Sequence, residues 1–355
     1  RIAPESWLAA RLGGDEFAIV GAASGDRDGL AIGSAALIAL KQPIQIDGQV
    51  FQVRGSVGLC RGTAATTPAE LLRNADTALY EAKRFDKGHL VEFTKPMHER
   101  AARRYRLGEA LREALNADAL SVVIQPIVDL ESRSVTGGEF LSRWTHPEFG
   151  QVSPEEFVRV AEDENLSLQL GTHVLTALVR SVSGLPGSMT FSINVSPGDL
   201  MDAKFVDLLT ESARSLRPHL LGVEVTERML ASDPNIQVSL GALRGSGIRV
   251  YVDDFGTGYS SLAYLKDLPA DFLKIPREFV RDMEGNERAQ AVVKGIVELA
   301  KALGLGTVAE GVETPMQCRL VAAAGAGFGQ GYLFAKPMTV GQFGDRLLSP
   351  SGLAA

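Results

Sequence analysis

The strongest constraint on the fold is a series of apolar runs, each closed by a polar side chain, at the spacing of strand–helix units. From residue 119 onward SVVIQPIVDL, TFSINVS, LLGVEVTE, IRVYVDDFG, FLKIP and LGTVAEGVE read as strands separated by helix-length segments. Asn194 and Glu224 lie 30 residues apart, Glu224 and Asp253 29, Asp253 and Lys274 21, and Lys274 and Glu310 36. Those are the distances of successive βα units, so the pattern predicts a parallel α/β barrel. In such a barrel the strand C-termini open onto one face, where residues remote in sequence meet. A chain of 355 residues has room for that barrel, about 250 residues, and for a smaller domain before it.

Residues 1–95 read as a small α+β block. Gly13-Gly14 predicts a hairpin turn before Phe17–Val20, and Asp47-Gly48 a second one between Ile44–Ile46 and the alternating Phe51, Val53, Val57 and Leu59. Thr67-Pro68-Ala69-Glu70 is a capping box opening a helix with Leu71, Leu72, Ala75, Ala78, Leu79 and Ala82 on one face. Residues 96–118, including HERAARRYRLGEALREAL, predict a connector helix whose apolar face carries Leu107, Ala110, Leu111 and Leu115. The barrel domain is expected over 107–345. The chain opens at Arg1 inside an apparent structural unit, so a longer parent protein is expected.

A formal net charge of −7 argues against a general basic surface for DNA or RNA polymers. Cys60 and Cys318 are the only cysteines, which argues against a disulfide framework and for a reducing, cytoplasmic setting. No run approaches the about 18 apolar residues of a membrane span. A membrane tether, if the parent has one, is expected upstream of Arg1.

The chemistry concentrates at the expected barrel mouth. The apolar run Ile248–Val252 delivers two adjacent acids, Asp253 and Asp254, into a glycine-rich turn. Neighbouring carboxylates repel, and so need protons or cations. With Glu139, Glu224 and Glu310 they make five carboxylates around one mouth, beside the amide of Asn194 and the ammonium of Lys274. Oxygen donors without histidine at these strand ends favour magnesium or manganese over zinc. Two hard cations bridged by carboxylates are an apparatus for phosphoryl chemistry. Three other readings stay open at this level: Asp253-Asp254 as a helix cap, Lys274 as a solvated surface residue, and an enolase-like barrel with one metal and a lysine base.

The stretches QPIVDL, EFLSRW, HPEFGQVSPEEF, SINVSP, EVTE, DDFGTGYSSLAYL, LKI, AEGVET and QGYLFAKP, in that order, resemble the EAL domain of cyclic di-GMP phosphodiesterases. RLGGDEF and NADTALYEAK resemble the second half of a GGDEF domain. The resemblance implies an α/β fold, an EAL-type (βα)8 TIM-like barrel preceded by a partial α+β GGDEF domain. It implies two Mg²⁺ or Mn²⁺ ions, one on Glu139, Asn194, Glu224 and Asp253, the other on Asp253, Asp254 and Glu310. Lys274 would touch the attacking water, with Gln330 and Glu313 supporting the water and ligand network. Arg143 and Gln125 would contact substrate, and Glu227 would hold the loop from Phe255 to Ser261. The implied reaction opens cyclic di-GMP to linear pGpG. A receptor that binds the dinucleotide and relays it through the connector helix is the alternative, and a different phosphodiester substrate a more distant one. A homodimer through the segment Asp253–Leu265 is also implied.

The sequence departs from the family pattern at Phe140, where the signature has alanine, and at Pro276, where aspartate is usual. Phe140 would either shift Glu139 or fill a gap behind the strand. Pro276 restricts Ile275 and lacks an N–H. In the GGDEF half, Gly13, Gly14, Asp15 and Glu16 are present, but the preceding strands are not in this chain. An inhibitory RxxD pattern is missing from Pro4 to Trp7. Diguanylate cyclase activity is therefore not expected of this chain.

Overall fold

The computed structural model of the chain describes residues 7–22, 25, 28–84, 88–256 and 268–348. They fall into two units, divided between Arg106 and Leu107.

In the first unit β1 (Leu8–Gly13) and β2 (Glu16–Val20) form an antiparallel hairpin. Gly14 turns it at φ +48°, a conformation glycine adopts without steric cost, and its carbonyl accepts from Arg11 at 2.7 Å. After α1 (Asp28–Leu40), β3 (Ile44–Ile46) and β4 (Gln49–Phe51) pair around Asp47-Gly48. The second hairpin is shorter than the alternation predicts. Val57 and Leu59 belong to a separate strand, β5 (Val57–Leu59), which α2 (Pro68–Arg84) covers and which pairs in parallel with β6 (Leu90–Glu92). Gly58 explains the change: a Cβ there would lie 2.1 Å from Ala75 O, so β5 is pressed backbone-to-backbone against the helix. The capping box at Thr67 and Glu70 is formed, with Thr67 N–H donating to Glu70 at 2.9 Å and Glu70 N–H returning to Thr67 Oγ1 at 3.3 Å. The division between the units lies within α3 (Pro96–Asn116), where Leu107 and Leu111 are fully buried.

The second unit runs β7 (Ser121–Asp129), β8 (Val135–His146), β9 (Gly150–Val152), α4 (Pro154–Asp163), α5 (Ser167–Val182) and β10 (Thr190–Asn194). It continues with α6 (Pro197–Met201), α7 (Ala203–Ser215), β11 (Leu220–Thr226), α8 (Glu227–Ser232), α9 (Pro234–Gly245) and β12 (Arg249–Asp253). Then follow β13 (Phe272–Ile275), α10 (Arg277–Arg281), α11 (Glu287–Ala302), β14 (Gly306–Ala309), α12 (Pro315–Ala324), β15 (Phe328–Gly329) and α13 (Val340–Leu348).

Among the described residues eight strands close a barrel in the order β7, β8, β10, β11, β12, β13, β14, β15 and back to β7. The barrel is not fully parallel, as the βα spacing predicts; β7 runs against both its neighbours. The cause is local. Residues 130–134 are too few for a crossover, so the chain returns antiparallel. Asp129 Oδ1 organises that turn by accepting from the N–H groups of Glu131 and Ser132 and from the Ser132 hydroxyl. The seam between β8 and β10 is close: a Cβ on Gly137 would sit 1.8 Å from Thr190 O.

Side-chain alternation divides each strand between two environments. Phe140, Phe191, Ile193, Val223, Val225, Val250 and Val252 face outward into the core beneath the helices. Ile127, Tyr251, Phe272, Val308 and Phe328 form a separate apolar cluster. Each lies two positions along its strand from a candidate site residue, so this cluster floors the barrel interior under the mouth.

Candidate active site

Glu139 sits in the middle of the 12-residue β8, not at the end of its strand as the other candidates suggest. It faces Gln125 on β7 and Ser192 on β10 in the strand register. Asn194 closes β10, and a capping box of Ser196 and Asp199 then starts α6. Glu224 lies in β11, Asp253 closes β12, Lys274 is in β13, and Glu310 directly follows β14. Backbone bonds from Glu310 N–H to Ile275 O (3.0 Å) and from Gln330 N–H to Ala309 O (2.8 Å) fix the last two positions.

These side chains converge on the ammonium of Lys274, which is 1% exposed. Its Nζ lies 2.5 Å from Glu224 Oε2, 2.5 Å from Glu310 Oε1, 3.4 Å from Glu139 Oε2 and 3.6 Å from Asp253 Oδ2. Lys274 is thus a buried counterion, not the solvated residue that a lone lysine suggests. Asn194 Nδ2 donates to Glu139 Oε1 at 2.7 Å. Gln330 Nε2 donates to Glu139 Oε2 at 2.8 Å and to Gln125 Oε1 at 3.2 Å. Ser192 Oγ donates to Glu224 Oε1 at 2.5 Å. Ser192 carries no motif of its own in the sequence beyond its place in SINVSP, although strand alternation puts it on the same face as Asn194.

Four acids share one ammonium, and their titration reflects the imbalance. Burial would raise the Glu139 carboxyl, but Lys274 together with Gln330 and Asn194 holds it below its ordinary value. Burial, reinforced by Glu139 and Asp253, pushes Glu224 up to about 8 despite Lys274. Glu310 is raised to about 7, again mainly by burial, with Lys274 opposing and Asp253 and Glu139 adding to the shift. Lys274 itself is held well above its ordinary value: burial opposes its charge, but the surrounding acids overcome that cost.

The remaining candidates occupy the periphery. Asp254 stands at φ +54°, and its N–H donates to Asp253 Oδ1 at 2.8 Å. Burial and the Asp253 charge raise its carboxyl. Glu227, buried at the start of α8, accepts from Gly256 N–H at 2.8 Å. The rest of that loop, residues 257–261, and most of the dimer segment, residues 257–265, lie outside the described residues. So do Pro4–Ser6 of the RxxD position. Arg143 Nη1 donates to Ser142 O at 2.8 Å, and burial lowers its guanidinium against the pull of Glu139 and Tyr332. Glu313 does not join the cluster; its carboxylate accepts from Arg277 at 2.7 Å. Phe140 points away from the mouth and meets Phe191 edge-on at 6.0 Å. Pro276 occupies the N-cap position of α10 directly after β13, without a side-chain cap bond. A histidine does end one strand, His146 on β8, but its ring stacks on Phe149 and its Nδ1 accepts from Glu148 N–H. In the first unit the hairpin turn is Gly14-Asp15, one residue later than the Gly13-Gly14 pair predicts, because Gly13 pairs with Glu16 and closes β1; Glu16 lies 3.8 Å from Lys83.

Among the described residues no three His, Cys, Asp or Glu side chains converge closely enough to enclose an ion. The distances give the reason: the acids fold inward onto Lys274 Nζ and not onto a common point between them. The donor chemistry nonetheless fits hard divalent cations. Glu139, Glu224, Asp253, Glu310 and the Asn194 amide offer oxygen alone, and their negative charge exceeds what one ammonium balances. Gln330 Oε1 adds a buried acceptor with no hydrogen-bond partner.

A closed eight-stranded α/β barrel with clustered acids at its mouth defines the class. Residues 108–337 match the model of the EAL domain family, and residues 2–89 match that of the diguanylate cyclase GGDEF domain. The chain belongs to the EAL family, with a GGDEF domain in tandem before the barrel. It is 35% identical over 341 residues to the bifunctional diguanylate cyclase/cyclic di-GMP phosphodiesterase MucR of Pseudomonas aeruginosa, covering 94% of this chain and 50% of that protein. To the cyclic di-GMP phosphodiesterase NbdA of the same species it is 33% identical, covering 94% of this chain and 44% of the relative. The chain spans about half the length of the curated relatives it matches. Among solved structures, the MucR phosphodiesterase in complex with c-di-GMP superposes with a TM-score of 0.62 at 35% identity, covering 67% of this chain and 99% of that one. The EAL enzyme Bd1971 bound to cAMP and cyclic-di-GMP gives 0.65 at 28% identity, over 80% of this chain and 77% of its own.

Proposed function

We propose that the barrel is a metal-dependent phosphodiesterase that opens cyclic di-GMP to linear pGpG. The observation that carries this reading is the convergence of Glu139, Glu224, Asp253 and Glu310 on Lys274, with more acid than one ammonium balances. The likeness to phosphodiesterases named for this substrate supplies the ligand.

When bound, Mg²⁺ or Mn²⁺ supplies Lewis acidity that makes water nucleophilic near neutral pH and offsets phosphate charge. Glu139, Asn194, Glu224 and Asp253 would hold one ion, and Asp254 and Glu310 together with Asp253 the second. Lys274 orients the water and keeps the acids from repelling one another. Arg143, half-buried within β8, binds a phosphate oxygen; Gln330 holds Glu139, and Gln125, which accepts from Gln330, contacts the substrate beside it. Glu227 anchors the loop that follows Phe255 through Gly256. Attack of water at one phosphorus breaks one P–O ester bond, and the departing ribose oxygen takes a proton. Residues 1–95 are the C-terminal half of a GGDEF domain and 96–118 the connector, without cyclase activity in this chain.

Purified chain incubated with cyclic di-GMP and Mn²⁺ should yield pGpG by chromatography, and EDTA should abolish it. Glu224→Gln should lose at least about 100-fold in turnover. Tight nucleotide binding with no product, unchanged by Mn²⁺, would instead make the barrel a receptor.

A further inference from the structure

The Ser192 hydroxyl lies inside the barrel, against an acid of the mouth, and is neither an ion ligand nor a substrate contact in the proposed reaction. Ser192 and Glu224 are each 1% exposed. The 2.5 Å contact between them is a direct hydrogen bond at the short end of the O–H···O range. The strand register sets Ser192 opposite Gly222 of β11, two residues before Glu224, and opposite Glu139 of β8. Gly222 makes the room: a Cβ there would stand 3.1 Å from Ser192 Cβ and 2.9 Å from the Tyr251 ring. The Tyr251 ring, stacked on Phe272 at 4.6 Å, floors the space beneath.

Glu224 is therefore gripped from two sides, by a neutral donor on Oε1 and by Lys274 on Oε2. The Ser192 hydroxyl is the donor the structure gives to Oε1, and a buried carboxylate oxygen stripped of its donor turns toward the nearest cation. That cation is Lys274. The turned carboxylate closes on the ammonium with both oxygens and withdraws from the mouth.

We infer that Ser192 is a positioning residue, whose hydroxyl holds the Glu224 carboxylate open toward the mouth where a divalent cation and the substrate phosphate meet. The inference rests on the proposed metal-dependent hydrolysis. A serine present only for packing makes the opposite forecast, since alanine fits the same space.

The test compares the full chain with Ser192→Ala and Ser192→Thr. Mn²⁺ binding is titrated calorimetrically without nucleotide, kcat and KM are measured for cyclic di-GMP, and the Ser192→Ala protein is crystallised. Alanine should weaken Mn²⁺ about 10- to 100-fold and lower kcat comparably while KM moves less than about threefold. Threonine, which keeps the hydroxyl, should restore Mn²⁺ affinity. Wild-type Mn²⁺ affinity and kcat in the alanine variant overturn the role, as does equal impairment of both variants. A chain that binds Mn²⁺ without turnover sinks the hydrolase reading yet leaves the affinity comparison decisive for Ser192. Should the wild type take up no Mn²⁺, the crystal structure decides: a Glu224 carboxylate rotated onto Lys274 supports the role, and one in its original place refutes it.

Discussion

Lys274 is the residue on which the mouth depends for its shape. Replacing it with methionine keeps much of the volume but leaves Glu139, Glu224, Asp253 and Glu310 facing one another without a cation. Breaking a buried charge cluster from one side costs about 3–5 kcal/mol, so Lys274→Met should unfold at correspondingly lower urea in EDTA. Mn²⁺ should recover part of the loss, because an ion can take over the work of the ammonium. A variant as stable as wild type in EDTA contradicts the counterion role. Phe140 makes the complementary case. It is buried against Phe191 behind the strand, so Phe140→Ala should cost about 3–5 kcal/mol through the cavity it leaves. The KM for cyclic di-GMP should stay within about twofold, since the ring never enters the mouth. A large KM change with intact stability would place the ring in the wrong environment. At this scale the polar breaks in apolar runs mark Glu224, Asp253 and Glu310. Glu139 lies instead inside a long strand, and Asp254, marked by the same break as Asp253, stays off the lysine. The sequence did not reveal that the acids meet on a buried lysine, since a lysine's burial depends on partners up to 135 residues away.

Between residues and fold, the elements differ in how much local chemistry announces them. The strand–helix alternation after β10 is legible because apolar runs and caps recur together, as in Thr314-Pro315 with Gln317 opening α12. The reversal of β7 was hidden. Its turn carries no glycine, and the left-handed position is filled by Arg133 at φ +59°, a residue with no turn preference. The split between β4 and β5 was hidden for another reason, since period-two alternation continues across both and only the approach of α2 separates them. Barrel closure depends on one position that sequence marks only as a glycine. In Gly137→Ala the new Cβ collides with the Thr190 carbonyl across the β8–β10 seam, and backbone on both sides leaves nothing to yield. A loss on the order of 4 kcal/mol or more is expected, seen as an insoluble or non-cooperatively unfolding protein. Gly295→Ala on the exposed face of α11, with nothing within 4 Å, is the control and should gain about 0.5–1 kcal/mol. Equal behaviour of the two variants would mean that the seam is not where the barrel closes.

Across the whole molecule, the surplus of acid at one end of the barrel ties stability to pH and to divalent cations. Glu224 and Glu310 titrate in the folded chain at about 8 and about 7, above their ordinary value of 4.5. Between those limits the folded state holds protons that the unfolded state has released, so stability falls as pH rises through the window. Glu139 works in the opposite sense. Its folded value is depressed, so its contribution is present above 4.5 and lost as pH falls through the folded value. Lys274, held above 10.5, stays charged throughout and adds no slope below that pH. In EDTA, therefore, the urea midpoint of the barrel transition should decline from about pH 5 to about pH 8.5. Cations compete with those same protons, because ligation requires the ionised carboxylates. Saturating Mn²⁺ should flatten or reverse the decline, and its binding should release protons measurable in buffers of different ionisation enthalpy. Parallel pH profiles with and without Mn²⁺ would mean that the protons sit elsewhere, and that the mouth's charge is balanced by Lys274 alone.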